Sequence, residues 1–132
     1  ELFLLHRTNF ETAAKTISCH QDIASDGAFS LGMLAQFEPV LRVHGPWFYK
    51  RLLWETGMIG QVLYLESEAV SESVERFRST GIGCFFDDVM HEVLGIQDQQ
   101  YQSLYHFTVG GAVEDDRLAT LGAYHHLEER RG

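Results

Sequence analysis

The sequence predicts an α+β domain, and three observations carry that reading. Helical and strand periodicities follow one another as helix, strand, long helix, strand, short helix, strand. Residues 47–70 are apolar around nearly their whole circumference, which marks a helix that is central or forms a subunit interface. Finally, 132 residues with 45% hydrophobic and 12% aromatic content suffice for one core, so a single domain over 1–132 is expected.

Taken in order, Thr8 or Asn9 can cap a first helix over 10–19 that aligns Phe10, Ala13, Ala14 and Ile17. Residues 21–27 break that period and end in Asp26-Gly27, a turn signal. Over 29–36, Phe29, Leu31, Met33 and Ala35 alternate with a second, partly apolar set, so this strand should be covered on both faces. Pro39 excludes a central strand position after it. His44-Gly45-Pro46 breaks the chain before the long helix, with Pro46 suited to the first turn. Inside that helix Gly57 and Gly60 each cost roughly 1 kcal/mol relative to Ala. Such a cost makes sense if a backbone or a flat ligand packs there; Gln61 beside them needs partners if buried.

Residues 71–79 are charged and read as a surface extension or loop. Thr80-Gly81-Ile82-Gly83 then forms a glycine-flanked turn into a short buried strand, Cys84-Phe85-Phe86. Asp87 or Asp88 caps a helix over 89–94, which Gly95 closes and whose His91 and Glu92 read as a solvated face. Residues 103–109 alternate as a strand that Gly110-Gly111 ends, and the three strands should share one sheet. Residues 1–9 and 125–132 read as frayed ends.

Composition removes several function classes. A net charge of −9 with scattered Lys and Arg leaves no basic stripe for a phosphate backbone, so no nucleic acid is expected. No apolar run approaches the roughly 20 residues that span a bilayer, and no signal-peptide pattern opens the chain, so no membrane partner is expected. Cys19 and Cys84, unclustered and few, read as reduced thiols of a cytoplasmic protein. The seven His residues show no ligand-type spacing, so no metal is expected; a Cys84 nucleophile has no His fixed beside it, and no catalytic residue is named. The turn at 80–83 remains. It offers bare N–H groups beside a sheet edge, suited to a planar ligand with polar edges.

Several stretches together resemble the C-terminal half of the nitroreductase superfamily, with the nearest likeness to SagB/ThcOx-type dehydrogenases. They are Trp47-Phe48-Tyr49-x-x-Leu52, the run from Glu55 through Gly57, Gly60 and Gln61 to Glu68-Ala69, Gly81-Ile82-Gly83-Cys84-Phe85-Phe86-Asp87-Asp88, Leu94-Gly95 and Tyr105-His106-Phe107-x-Val109-Gly110. The likeness reaches from Ser18 to about Tyr124 and includes Gln21-Asp22-Ile23-Ala24 and Gly27-Ala28-Phe29-Ser30. It implies a layered fold with a central, mainly antiparallel sheet and a long buried helix. It also implies an FMN-dependent oxidoreductase, a homodimer with flavin at the subunit interface, and a peptide or small-molecule substrate, with azoline-to-azole oxidation in the SagB type. Gly81, Ile82, Gly83 and Cys84 correspond to flavin neighbours; Gly57 and Gln61 fit packing better than contact.

Two features depart from the superfamily. The Arg/Ser-rich segment that grips the FMN phosphate has no counterpart, and after the last strand Leu121-Gly122-Ala123-Tyr124 has only Arg117 nearby. The spacer 71–79 is also longer than usual. Three readings therefore compete: a portion of an FMN oxidoreductase whose N-terminal half lies elsewhere, a truncated non-catalytic partner-binding or dimerisation relative, and a metal protein. The opening Glu1 in place of Met suits the first.

Overall fold

The chain runs α1 (Glu11–Ile17), α2 (Asp22–Ser25), β1 (Phe29–Gln36), α3 (Glu38–His44), a 3-10 turn (Pro46–Phe48), α4 (Tyr49–Ser71), β2 (Phe77–Ile82), α5 (Asp87–Leu94), β3 (Tyr101–Gly111) and α6 (His125–Glu128). These elements come from a computed structural model that describes residues 2–71, 77–113 and 115–128. The three strands form one antiparallel sheet in the order β1-β3-β2.

The last strand in sequence is therefore the central one. Phe29 to Met33 of β1 pair with Val109 to Tyr105, and a bulge at Met33/Leu34 leaves Leu104 as the extra residue of β3. On the other edge Phe77 to Ile82 pair with Gly111 to His106. Apolar or satisfied polar side chains on both faces of β3 make this possible: Leu104, Phe107 and Val109 are buried, and so are Ser103, His106 and Thr108.

Helix α4 covers one face. Gly60 lets its backbone approach the rings of β3, since a Cβ there would lie 3.4 Å from Tyr105 Cε1 and 3.8 Å from Phe107 Cε2. Tyr64, one turn on, meets Phe107 edge-to-face at 4.9 Å. Elements α1, α2 and α5 cover the opposite face. There Thr108 Oγ1 donates to the Ile23 carbonyl at 2.8 Å, and the His106 ring stacks on Phe85 at 4.2 Å and shares a 2.8 Å hydrogen bond with Ser103 Oγ.

Several expectations hold. The strand at 29–36 matches β1 to the residue and Gly95 closes α5 with φ of 71°, whereas α1 is shorter than 10–19 and has Phe10 as its N-cap, with Asn9 Oδ1 accepting the Glu11 N–H at 2.8 Å from one position before it. The long helix is continuous. Its burial is not as expected, because only Leu52, Thr56 and Gly60 are buried while Trp54, Met58, Val62 and Leu65 stand exposed: one sheet covers one stripe, and an all-round apolar helix needs a second cover.

Other expectations are corrected. The second strand in sequence is Phe77–Ile82 and not Cys84-Phe85-Phe86, so part of the segment read as loop is sheet, while 72–76 lie outside the described residues. The reason is a competing set of bonds: the Phe86 N–H goes to the Ile17 carbonyl at 2.7 Å, which draws 84–86 to α1 and away from β3. Pro39 does more than end a strand; it sits in the first turn of α3, where its missing N–H costs nothing. Helix α5 begins at Asp87 with Phe86 at its N-cap, so neither Asp caps it by side chain, although both lie in the first turn where the helix dipole favours negative charge. His91 is not merely solvated, because its Nε2 accepts the Ser103 N–H at 3.0 Å. The tail is helical over His125–Glu128.

The largest correction concerns the cysteines. Cys19 and Cys84, 65 residues apart, are joined as a disulfide with Cα atoms 5.9 Å apart, inside the range such bonds require. Sequence spacing could not show this, because α1 and the segment after β2 meet only through the fold. Closing a loop of that length stabilises the fold by roughly 4 kcal/mol in chain-entropy terms.

Burial holds the His106 pKa below its ordinary 6.5. The folded chain thus keeps the ring neutral where the unfolded chain begins to protonate it. Stability should fall as pH drops below about 6.5, until the lower folded-state value is passed. Urea unfolding of the wild type and His106→Gln across that window should show a smaller loss in the variant. Parallel pH dependences would remove His106 as the cause.

Candidate functional site

The segment that leaves β2 and enters α5 is the candidate site. Gly81, still in the strand, sends its N–H out of the sheet edge to Tyr64 Oη at 2.9 Å. The space where its Cβ would stand belongs to Tyr105, whose Cζ would be 2.5 Å away and whose hydroxyl closer still. Ile82 is 2% exposed and pairs with His106. Gly83 has no atom within 4 Å of a built Cβ beyond its chain neighbours. Cys84 is bonded to Cys19, and its carbonyl accepts from Gln21 Nε2 at 3.2 Å.

The end of α1 forms the other wall. Cys19 and His20 both take left-handed backbone, φ of 54° and 60°, which costs non-glycine residues of order 1–3 kcal/mol each. That bend brings Gln21 round so that its amide also donates to the Ser18 carbonyl at 2.9 Å, and sets the His20 ring edge-on to Phe86 at 6.3 Å. On the α4 side a groove of about 220 Å³ runs past Thr56, Gly57, Gly60, Gln61, Tyr64 and Tyr105. Gly57 faces open space there, and Gln61 is exposed, so neither has the buried role that would have demanded partners.

Among the described residues, cations do not converge on this segment. Lys15 pairs with Asp22, whose carboxylate raises the Lys15 pKa; Arg42 pairs with Glu38 at 2.6 Å and Arg78 with Glu68 at 3.6 Å. Arg117 is held by Asp115 through two bonds of 2.9 and 2.7 Å, which also keep the Asp115 carboxyl below its ordinary pKa. Lys50 and Arg51 lie over the rings of Trp47 and Trp54 at 5.4 to 5.8 Å. Among the described residues no group of three His, Cys, Asp or Glu is arranged to hold a metal, and no helix is long and apolar enough to cross a membrane.

The four turn residues differ in how much of each is left open. Gly81 is a glycine because Tyr105 needs the space, and its amide is already engaged. Ile82 is core, Cys84 is a cross-link, and only Gly83 offers free approach to the main chain. Tyr64, Tyr105, His106 and Cys19 surround the turn and escaped sequence reasoning, because each comes from an element distant in the chain. Tyr105 and His106 stood in view as strand residues without a sign of what they would face.

The two glycines should part company on substitution. Gly81→Ala forces the Tyr105 ring off its seat and should cost roughly 1–3 kcal/mol in urea unfolding, as overpacking does. Gly83→Ala meets open space and should stay within about 1 kcal/mol of the wild type. Equal costs would show that Tyr105 does not dictate Gly81.

No protein-family profile matches the chain, and no curated protein does. Among the solved structures similar to this chain are two flavin-enzyme-like folds. The first, from Anabaena variabilis ATCC 29413 and provisionally described as a nitroreductase, superposes with a TM-score of 0.71 at 25% identity over 80% of this chain. The chain spans 20% of the length of that protein. The second, from Staphylococcus epidermidis ATCC 12228 and provisionally described as an NAD(P)H:FMN oxidoreductase, superposes with a TM-score of 0.59 at 9% identity over 97% of this chain and 72% of its own, a likeness of fold alone. The α+β architecture seen here, one antiparallel three-stranded sheet under a long helix, is that of nitroreductase-like structures.

Proposed function

We propose that this chain is the C-terminal portion of an FMN-dependent oxidoreductase of nitroreductase type, with the SagB/ThcOx dehydrogenases as the nearest class, and that its flavin site is completed by residues from outside the chain. The observation that carries the reading is the 25% identity maintained over 80% of the chain at a TM-score of 0.71, with the chain spanning one part of a much longer protein. Gly83 is the point of approach for the flavin ring in this reading, and Gly81, Ile82 and Cys84 support it from behind. The phosphate grip comes from elsewhere, because a dianion has little to hold it on a chain of net charge −9 whose described cations largely face carboxylates or indoles.

Titration of FMN into the chain, followed by flavin fluorescence, should show weak binding or none. Adding a preceding segment with an Arg/Ser-rich stretch should produce tight binding. Submicromolar binding by the chain alone would defeat the claim that outside residues are required, whereas no binding by the longer protein would favour the non-catalytic relative.

The same reading includes a homodimer built on α4. Trp47, Trp54, Met58, Val62 and Leu65 expose an apolar stripe, and Gly57 within it has no neighbour in its own chain that requires a glycine. A second copy packing at Gly57 accounts for both. Gly57→Ala should raise the stability of the dilute monomer by up to about 1 kcal/mol while weakening self-association. Sedimentation equilibrium checks the second half, and an unchanged dimer constant would move the interface elsewhere.

A further inference from the structure

We propose that Cys19 and Cys84 form a reversible thiol–disulfide site that exchanges with small thiols and disulfides of the glutathione class and sets how firmly the Gly83–Cys84 turn is held. Three features of the structure carry this. The two cysteines differ in exposure, since Cys84 is exposed and Cys19 half-buried, so the Cys84 end is the more open to an external thiolate. The bond also joins elements that have few other ties at that point. Downstream, Phe86 is bonded to Ile17 and Phe85 stacks on His106, so those residues keep their places without the cross-link. Upstream, a Cβ built on Gly83 would meet nothing within 4 Å beyond its chain neighbours, and among the described residues the Gln21 bond to the Cys84 carbonyl, at 3.2 Å, is the remaining hydrogen bond to that residue from the segment after α1. Finally, Cys19 and His20 hold left-handed backbone on the side of the bond that would relax when it opens.

The exchange balances as follows. A thiolate attacks Cys84 Sγ, the electron pair of the broken S–S bond leaves on Cys19 Sγ, and a mixed disulfide remains on Cys84. A second thiolate attacks the outer sulfur of that mixed disulfide and releases the Cys84 thiolate. Both protein thiolates take up protons, so the protein gains two electrons and two protons while two small thiols become one disulfide. The reverse sequence closes the bond.

The site rests on this geometry and not on the flavin reading, and its test uses no flavin. The full chain is equilibrated in buffers of varied reduced-to-oxidised glutathione ratio, quenched with N-ethylmaleimide and weighed by mass spectrometry. Hydrogen exchange is measured on the same samples. The expected result is a single reversible transition between no alkylated thiol and both, with unchanged far-UV circular dichroism. In the Cys19→Ser chain a glutathione adduct should map to Cys84. Amides of Gly83 and Cys84 should exchange about tenfold faster in the reduced form, with Phe86 unchanged, as for a local opening. Cys84→Ala should match the reduced wild type. A bond that opens only in urea would overturn the proposal, as would two free thiols persisting in oxidised glutathione, or equal exchange at Gly83 and Cys84 in both forms.

Discussion

The central position of β3 is the constraint on which the rest of the structure depends. A strand paired on both edges and covered on both faces must satisfy every backbone group and present side chains that suit two different layers. Phe107, fully buried, and Tyr105 meet α4 on one side; His106 and Thr108 meet α5 and α2 on the other. The polar members are affordable only because each finds a partner, Ser103 for His106 and the Ile23 carbonyl for Thr108. Moving any of these pairs by one residue would turn the tyrosine and phenylalanine toward the wrong layer.

Tyr105 shows how packing and ligand access compete at the candidate site. Its ring lies against Gly60, and its hydroxyl end fills the space beside Gly81, so one side chain explains the absence of a Cβ at two positions. A glycine that would otherwise suggest room for a ligand is there to make room for the protein. Gly83 is different, since no neighbour claims its space. The flavin approach proposed above therefore lies at the outer end of the turn, beside the disulfide, and away from the strand.

Helix α4 meets the opposite situation. Its inner stripe is satisfied by the sheet, while its outer face carries Trp54, Met58 and Val62, continued by Trp47 in the turn before it, with Lys50 and Arg51 laid over the indoles. Cations placed over the rings leave the apolar face available without exposing it bare to water. A three-stranded sheet is too narrow to cover such a helix on all sides. The surplus of apolar surface and the unclaimed Gly57 belong together, and both look outward from the chain.

The fold class, the long helix, β1, the central strand β3 and the closure of α5 at Gly95 were legible in the sequence, because each depends on period, glycine or proline over a few residues. The place of β2 was not. Its alternation, Phe77 to Ile82, is interrupted by Arg78 and Gly81, and what selects it over Cys84-Phe85-Phe86 is the bond from Phe86 to Ile17, a contact across the fold. The union of Cys19 with Cys84 and the role of Tyr105 over Gly81 were invisible for the same reason. Local periodicity determines which segments are helix or strand. Which of them meet, and whether a glycine serves a ligand or a neighbour's side chain, is decided by long-range packing that no window of sequence contains.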